Sequence, residues 1–408
     1  MNTNWTVIAG IIIAGIVAGG LVLWLVYFHT PTFTPDTSQT QFESGDVRST
    51  TGVSVQTGTD TVQPVVESTL SAAKIFKIAD GPIAGATLIQ TVRPATSTIA
   101  RFFMATNGHV FDLKLDYPGA VPKAVSNTTI PGILRVIWSE RGRGALAQYL
   151  DAGVIKTVHF ALPAANATSS APVRIQFLPD GIATLDVSPD GSNVAYLLKT
   201  ADGSDGYTAR ADGGSSKKLF SLPLSEILLS WPAQGTLLAQ TASAAGVPGV
   251  AFSIDAKAGG YSPLLYAQGL TLTADRNFSR VVYQTTGTTR GTYFQNLKTG
   301  LAKPLSFNPI PELCTWSLSA STTLYCATPL SYVEPNYLDL RHLGAASAPS
   351  SLVSFDLATG FSTIVAEPGG SDGGVPSDIS ELSVSLDDEY LLFIRAGDRS
   401  LWGVRLKQ

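Results

Sequence analysis

Seven polar breaks, each following an apolar run, recur at near-constant spacing between Pro94 and Asp388 of this 408-residue chain. They begin at Pro94, Ser139, Ser188, Pro232, Ala274, Leu318 and Ser385, so successive steps are 45, 49, 44, 42, 44 and 67 residues. The long last step contains one insertion, Pro329 to Ser350. A period of ~40–45 residues built from short β-rich runs is the pattern of a β-propeller blade. The expected fold is therefore all-β, a seven-bladed β-propeller. Such a ring is a platform and does not specify a chemistry.

Within each period the runs are short and bounded by turn residues. The third period reads Ile182–Val187, Asn193–Lys199, Tyr207–Ala211 and Lys217–Ser221. Its Ser188-Pro189-Asp190-Gly191 turn has proline to set φ and glycine to take the φ > 0 position. The fifth reads Leu270–Thr273, Arg280–Thr285, Thr292–Leu297 and Leu301–Phe307. The last period has three runs before the chain ends, whereas Lys74–Ile78 precedes the first blade and belongs to none. This segment alternates polar and apolar residues, as a half-exposed strand does. It is expected to supply the outer strand of the seventh blade, because an unclosed ring would leave two unpaired sheet edges.

The stretch Ala183-Thr-Leu-Asp-Val-Ser-Pro-Asp-Gly-Ser-Asn-Val-Ala-Tyr-Leu197 resembles the WD40-like repeats of the TolB-type propeller family. Leu382 to Ile394 looks like a degenerate copy. The resemblance implies a propeller and an envelope protein that binds other proteins. It carries no catalytic residue.

Ahead of the repeats, Trp5 to Phe28 form an uncharged apolar run of 24 residues. That is enough to cross a ~30 Å hydrocarbon core as a helix. Trp5 at one end and Trp24, Tyr27 and Phe28 at the other suit the two interfaces. The run lacks preceding Lys or Arg, a following small-x-small site and a lipid-acceptor Cys, which argues against a cleaved signal peptide. Residues 1–29 thus read as an anchor, Thr30–Val66 as a flexible Ser/Thr-rich linker, and 67–408 as the propeller. Asp36, Glu43 and Asp46 precede the first basic residue beyond the helix, Arg48. This places the N-terminus inside and the propeller outside the cytoplasmic membrane. Small residues at Gly10, Ala14 and Ala18, and at Gly15 and Gly19, give the helix a face for self-association.

The pI near 5.6 and net charge of −4 imply no basic surface, so no nucleic-acid partner is expected. Cys314 and Cys326 flank a polar turn centred on Ala320 and would lie opposite each other in a hairpin. They are a candidate disulfide; the alternative is two buried thiols.

No catalytic motif emerges, and no cofactor is expected. Among His29, His109, His159 and His342, none has the partners of a zinc site. No nucleophile elbow, Walker or dinucleotide glycine pattern is present. The acidic loops Asp202–Gly206 and Gly370–Asp378 lack the spacing of a calcium loop and read as solvated turns. Arg141, Arg143, Lys217 and Lys218 read as turn or edge residues. The sharpest candidate for partner binding is the insertion, which carries Tyr332, Glu334, Tyr337, Arg341 and His342. Tyr and Arg are common at binding hot spots. The alternative is a plug over the central channel. The function expected from these features is a non-catalytic scaffold that binds an envelope protein, with an envelope enzyme acting on glycan or peptide as the rival.

Overall fold

The computed structural model describes residues 70–91, 96–165, 173–367 and 378–407. These residues form seven four-stranded antiparallel sheets, each a consecutive meander except the last. The inner strands are Ile83–Thr91, Ile133–Ser139, Ile182–Val187, Ile227–Ala233, Thr271–Ala274, Cys314–Trp316 and Ile379–Val384, for blades one to seven. The seven-bladed propeller read from the period is the observed fold. The apolar run at residues 5–28 and the linker at 30–66 lie outside the described residues. No helix among the described residues is long and apolar enough to cross a membrane.

Successive side chains of a strand point to opposite faces, so each blade buries both faces against its two neighbours. In the second strand of blade two, Gly144–Asp151, Ala145 and Ala147 pack toward blade one with Phe103 and Val110. Leu146 between them packs toward blade three with Ile182 and Leu185. The core is therefore a set of sheet-on-sheet seams arranged around a central axis.

Ring closure follows the sequence expectation. Ile75–Ala79 pairs antiparallel with Leu401–Arg405, Ile75 opposite Val404 and Phe76 opposite Gly403. A Cβ at Gly403 would collide with the Phe76 ring, so glycine here makes room for an inward aromatic. Phe76 and Ile78 then join Leu392 and Ile394 of blade seven and Phe102 and Leu113 of blade one in one cluster. The backbone also ties the seam, with Ile83 N donating to Arg399 O at 3.0 Å.

One expected turn is a strand instead. Gly203–Arg210 runs straight through the acidic stretch that reads as a solvated loop. Asp205 is held by Lys218 at 2.8 Å and Ser221 at 2.7 Å across the blade. Gly206 admits the Phe220 ring where a Cβ would overlap it. Packing decides a segment whose own composition favours a turn. The second acidic loop, 370–378, lies outside the described residues except for Asp378.

In blade six, Cys314 and Cys326 stand opposite each other, Cα atoms 4.0 Å apart, joined by a disulfide.

Deleting residues 67–80 removes the closing strand and should abolish the cooperative thermal transition of the propeller. Phe76→Ala, by contrast, should leave a folded ring weakened by about 3–5 kcal/mol, the usual cost of a buried Phe→Ala change. Calorimetry that finds either variant as stable as the parent would refute the closure seam.

Candidate functional site

The turns joining the first and second strands of the blades converge at one end of the channel. There they enclose a funnel of about 1160 Å³. Its wall includes Thr87–Thr91 of blade one, Glu140–Arg143 of blade two, Asp186–Ser192 of blade three, Arg276 of blade five and Leu382–Val384 of blade seven.

These turns share a local design. Ser188 Oγ donates to Asp190 at 2.5 Å and accepts from Asn193 N at 3.0 Å. Ser385 repeats it with Asp387 at 2.6 Å and Tyr390 N at 3.0 Å. Such self-bonding keeps short turns rigid. Adjacent turns are then tied together. Asp388 accepts from Ser317 and from Ser319, the latter at 2.6 Å. Asp387 accepts from Gln90 at 2.6 Å, and Arg280 donates to Ser321 O at 3.1 Å.

Just before the turn, the inner strand carries tryptophan in alternate blades: Trp138, Trp231 and Trp316 in blades two, four and six. Val187, Ala274 and Val384 occupy the same place in blades three, five and seven, as shown by their pairing with Val194, Val281 and Leu391. Trp316 Nε1 reaches Thr273 of blade five at 3.2 Å, and Trp138 packs on Phe103 of blade one. Large and smaller residues thus alternate around the funnel end of the ring.

Six charged residues line the funnel. Two carboxylates are satisfied internally. Asp186 accepts from Trp231 N and Val187 N, both at 2.8 Å; burial pushes its pKa up against those bonds and the charge of Arg135. Asp190 is held low by its bonds from Ser188 and Ser192. The other four, Glu140, Arg141, Arg143 and Arg276, make no side-chain hydrogen bond or ion pair with any described residue. The funnel walls partly desolvate Arg276 and lower its pKa.

The blade-two turn is strained. Glu140, Arg141 and Gly142 lie consecutively in the left-handed region, at φ 49°, 55° and 82°. The turns of blades three, five and seven place one residue there each: Gly191, Phe278 and Asp388. A non-glycine residue in that region costs of order 1–3 kcal/mol. Arg101 supports the strained turn from below. It is 0% exposed and forms a bidentate pair with Asp112 at 2.7 and 2.8 Å. Its remaining amino group donates to Gly142 O at 2.7 Å and Pro163 O at 2.9 Å.

At the opposite end of the channel, the blade-six insertion forms a short helix, α1 (Tyr337–His342). Tyr337 and Leu338 are buried. Arg341 pairs with buried Asp378 and donates to Ile379 O at 2.9 Å, at the start of blade seven. Asp339 accepts from Ala245 N of blade four at 3.1 Å. His342 Nε2 meets Glu312 at 2.7 Å, and Glu312 also meets Thr271 of blade five at 3.1 Å. Tyr337 and Arg341 are therefore engaged inside the ring, His342 is tied to Glu312 while staying exposed, and α1 reaches from the blade-four loop at Ala245 to the start of blade seven. Tyr332 and Glu334 stay exposed, Tyr332 at 69%. Arg290 stacks on the Tyr332 ring, 4.7 Å from its centroid, beside a cavity of about 540 Å³. The insertion stands out in the sequence, but Arg141 and Arg143 read there as ordinary turn residues, and nothing local singles out Arg276 or Arg101.

Among the remaining histidines, His159 lies in a strand beside Ser139, both facing the space that a side chain on Gly144 would take. Ser139 Oγ and His159 Nε2 are buried and unpaired. No group of three or more metal-ligating side chains occurs among the described residues.

No protein-family model matches the sequence, and no curated protein matches it. Solved structures share the fold. The β-propeller domain of Cps50 (Swd1) from Myceliophteria thermophila is 11% identical with a TM-score of 0.51, over 82% of this chain and 100% of that one. The tricorn protease is 9% identical with a TM-score of 0.50, over 80% of this chain and 34% of that one. TolB from Acinetobacter baumannii is 12% identical with a TM-score of 0.41; the match covers 68% of this chain, which spans 62% of the length of TolB. At these identities the likeness concerns the fold alone.

Arg101→Lys should cost about 3 kcal/mol or more, because lysine cannot make the bidentate pair and leaves acceptors unmet. Equilibrium urea unfolding measures this; an unchanged midpoint would remove Arg101 as the support of the strained turn.

Two histidines should set separate pH windows. Burial lowers the pKa of His159, outweighing Glu140 and Asp212. Its contribution is complete above the unfolded value of ~6.5 and is lost as pH falls from there to the folded value. The Glu312 bond raises the pKa of His342. That contribution is complete below ~6.5 and is lost as pH rises through the folded value. In thermal scans, His159→Asn should flatten the acid-side decline and His342→Gln the decline above it. Parallel pH profiles for both variants and the parent would contradict this assignment.

Proposed function

We propose that the chain is a membrane-tethered propeller on the outer side of a cytoplasmic membrane, acting as a non-catalytic scaffold that binds a protein partner. The observation that carries this reading is the funnel. A ring of cross-tied turns presents a rigid concave surface whose Glu140, Arg141, Arg143 and Arg276 side chains make no hydrogen bond or ion pair with the described residues. The cavity exceeds the ~300–1,000 Å³ usual for small-molecule pockets, which favours a segment of a larger ligand. Export is supported by the Cys314–Cys326 disulfide, since such bonds persist in oxidising compartments, and by the apolar run at residues 5–28.

The rival reading, an envelope enzyme acting on glycan or peptide in the channel, rests on Ser139 and His159. They flank the space above Gly144 as a hydroxyl and an imidazole, with no hydrogen bond between them. Both are buried with their polar atoms inaccessible, so substrate would not reach them without opening the blade-two seam.

A photo-crosslinking residue at Pro189, on the funnel wall, should capture a distinct protein in native membranes. The same residue at Tyr266, exposed on the outer strand of blade four, should not. Equal capture from both positions, or none from Pro189, argues against a funnel-based scaffold. Hydrolysis of an envelope glycan or peptide, lost in Ser139→Ala, would favour the enzyme.

A further inference from the structure

We propose that the funnel binds an extended, acidic polypeptide segment, with Arg141, Arg143 and Arg276 as the residues that read its carboxylates. This rests on the scaffold reading above and names the chemistry of the partner.

Three observations converge. The first is charge that the fold leaves unused. Three guanidinium groups line one cavity without a carboxylate partner among the described residues. Asp186 and Asp190 are satisfied by hydrogen bonds within blade three and from blade four, which leaves Glu140 as the acid without a side-chain bond to any described residue. A guanidinium is planar and matches a carboxylate bidentately. One that faces a cavity without a carboxylate partner is free to form such a charge-assisted pair with an incoming anion.

The second is the strained turn. Two non-glycine residues are held left-handed, and one of them is Arg141. A buried arginine, Arg101, and the Glu140 N to Gly191 O bond at 3.0 Å both anchor this turn. Strain that the surroundings sustain in this way is a feature of binding and catalytic sites. Here it fixes the backbone from which Arg141 meets the cavity.

The third is the shape of the adjoining wall, where Gly142 packs against Ile89. The inner strand of blade one contributes five consecutive residues, Thr87–Thr91, all half-buried. Among the described residues this strand pairs on one side only, with Ser97–Met104. Its other edge is unpaired with any described strand from Thr87 to Gln90, along the funnel. An open strand edge offers main-chain donors and acceptors at the spacing of an extended peptide. A glycan has no matching amide ladder, so the edge favours a polypeptide over a carboxylated sugar polymer.

The test uses the full-length chain in detergent or nanodiscs and a fluorescent oligo-glutamate peptide as probe. Anisotropy should show saturable binding that weakens with salt. Arg141→Ala and Arg276→Ala should each lower affinity by roughly tenfold, in line with the loss of a charge-assisted bond, with unchanged thermal midpoints. Arg276→Glu should abolish binding of oligo-glutamate. Equal binding of oligo-lysine, or affinity unaltered in all three variants, overturns the proposal. Preferential binding of polygalacturonate overturns the polypeptide assignment in favour of a glycan. Competition by inorganic phosphate at concentrations where acetate is inert overturns the carboxylate assignment. The two readings fail separately. If Arg276→Glu still crosslinks its membrane partner from Pro189, the scaffold stands and the acidic-segment proposal falls. If the parent captures nothing there, the scaffold reading itself fails.

Discussion

The pairing of Ile75–Ala79 with Leu401–Arg405 is the constraint on which the other seams depend. Each blade is stabilised only by its neighbours, because a four-stranded sheet with two apolar faces cannot bury them alone. In an open array the terminal blades would each expose one such face. The closing strand converts the array into a cycle in which every face is covered. Phe76 above Gly403 and the Ile83–Arg399 backbone bond are the local devices that fix its register.

Polar ties then set the relative height of neighbouring blades. Gln240 exchanges two hydrogen bonds with the backbone of Leu272, both at 3.0 Å. Gln148 donates to Ile182 O at 3.1 Å in the same way. Apolar contact alone tolerates sliding of one sheet over another; a buried amide with defined partners does not. The Arg101 and Asp112 pair serves the seam between blades one and two and, through Gly142, sets the shape of the funnel wall. Fold and candidate site are therefore coupled at a single buried side chain.

Much of the architecture was legible in the sequence because it rests on local signals. Turn residues at a fixed period counted the blades. A missing last strand, with an orphan alternating segment upstream, disclosed the closure. The position of Cys314 and Cys326 about a turn placed them opposite each other. What stayed hidden depends on tertiary contact. Asp205 and Gly206 favour a turn by composition, and only Lys218, Ser221 and the Phe220 ring hold them in a strand. Arg101 sits in an apolar run with nothing local to mark it as buried. Tyr337 and Arg341 are chemically suited to a contact surface, yet Asp378 and the inner-strand starts take them inward. That Arg141, Arg143 and Arg276 find no partner among the described residues is a property of their surroundings, and no residue pattern records it.

The alternation of tryptophan with small residues has a consequence that comes from parity. A two-colour pattern closes without fault only on a ring with an even number of members. Seven is odd, so the pattern of blades two, four and six must fail once, and it fails between blades seven and one, neither of whose inner strands carries tryptophan. At that fault the funnel wall is formed by Thr87–Thr91 and Leu382–Val384, without the indole that every other pair of neighbouring blades contributes. An almost sevenfold assembly thereby acquires a front, and a ligand entering the funnel meets one direction that differs from all the others.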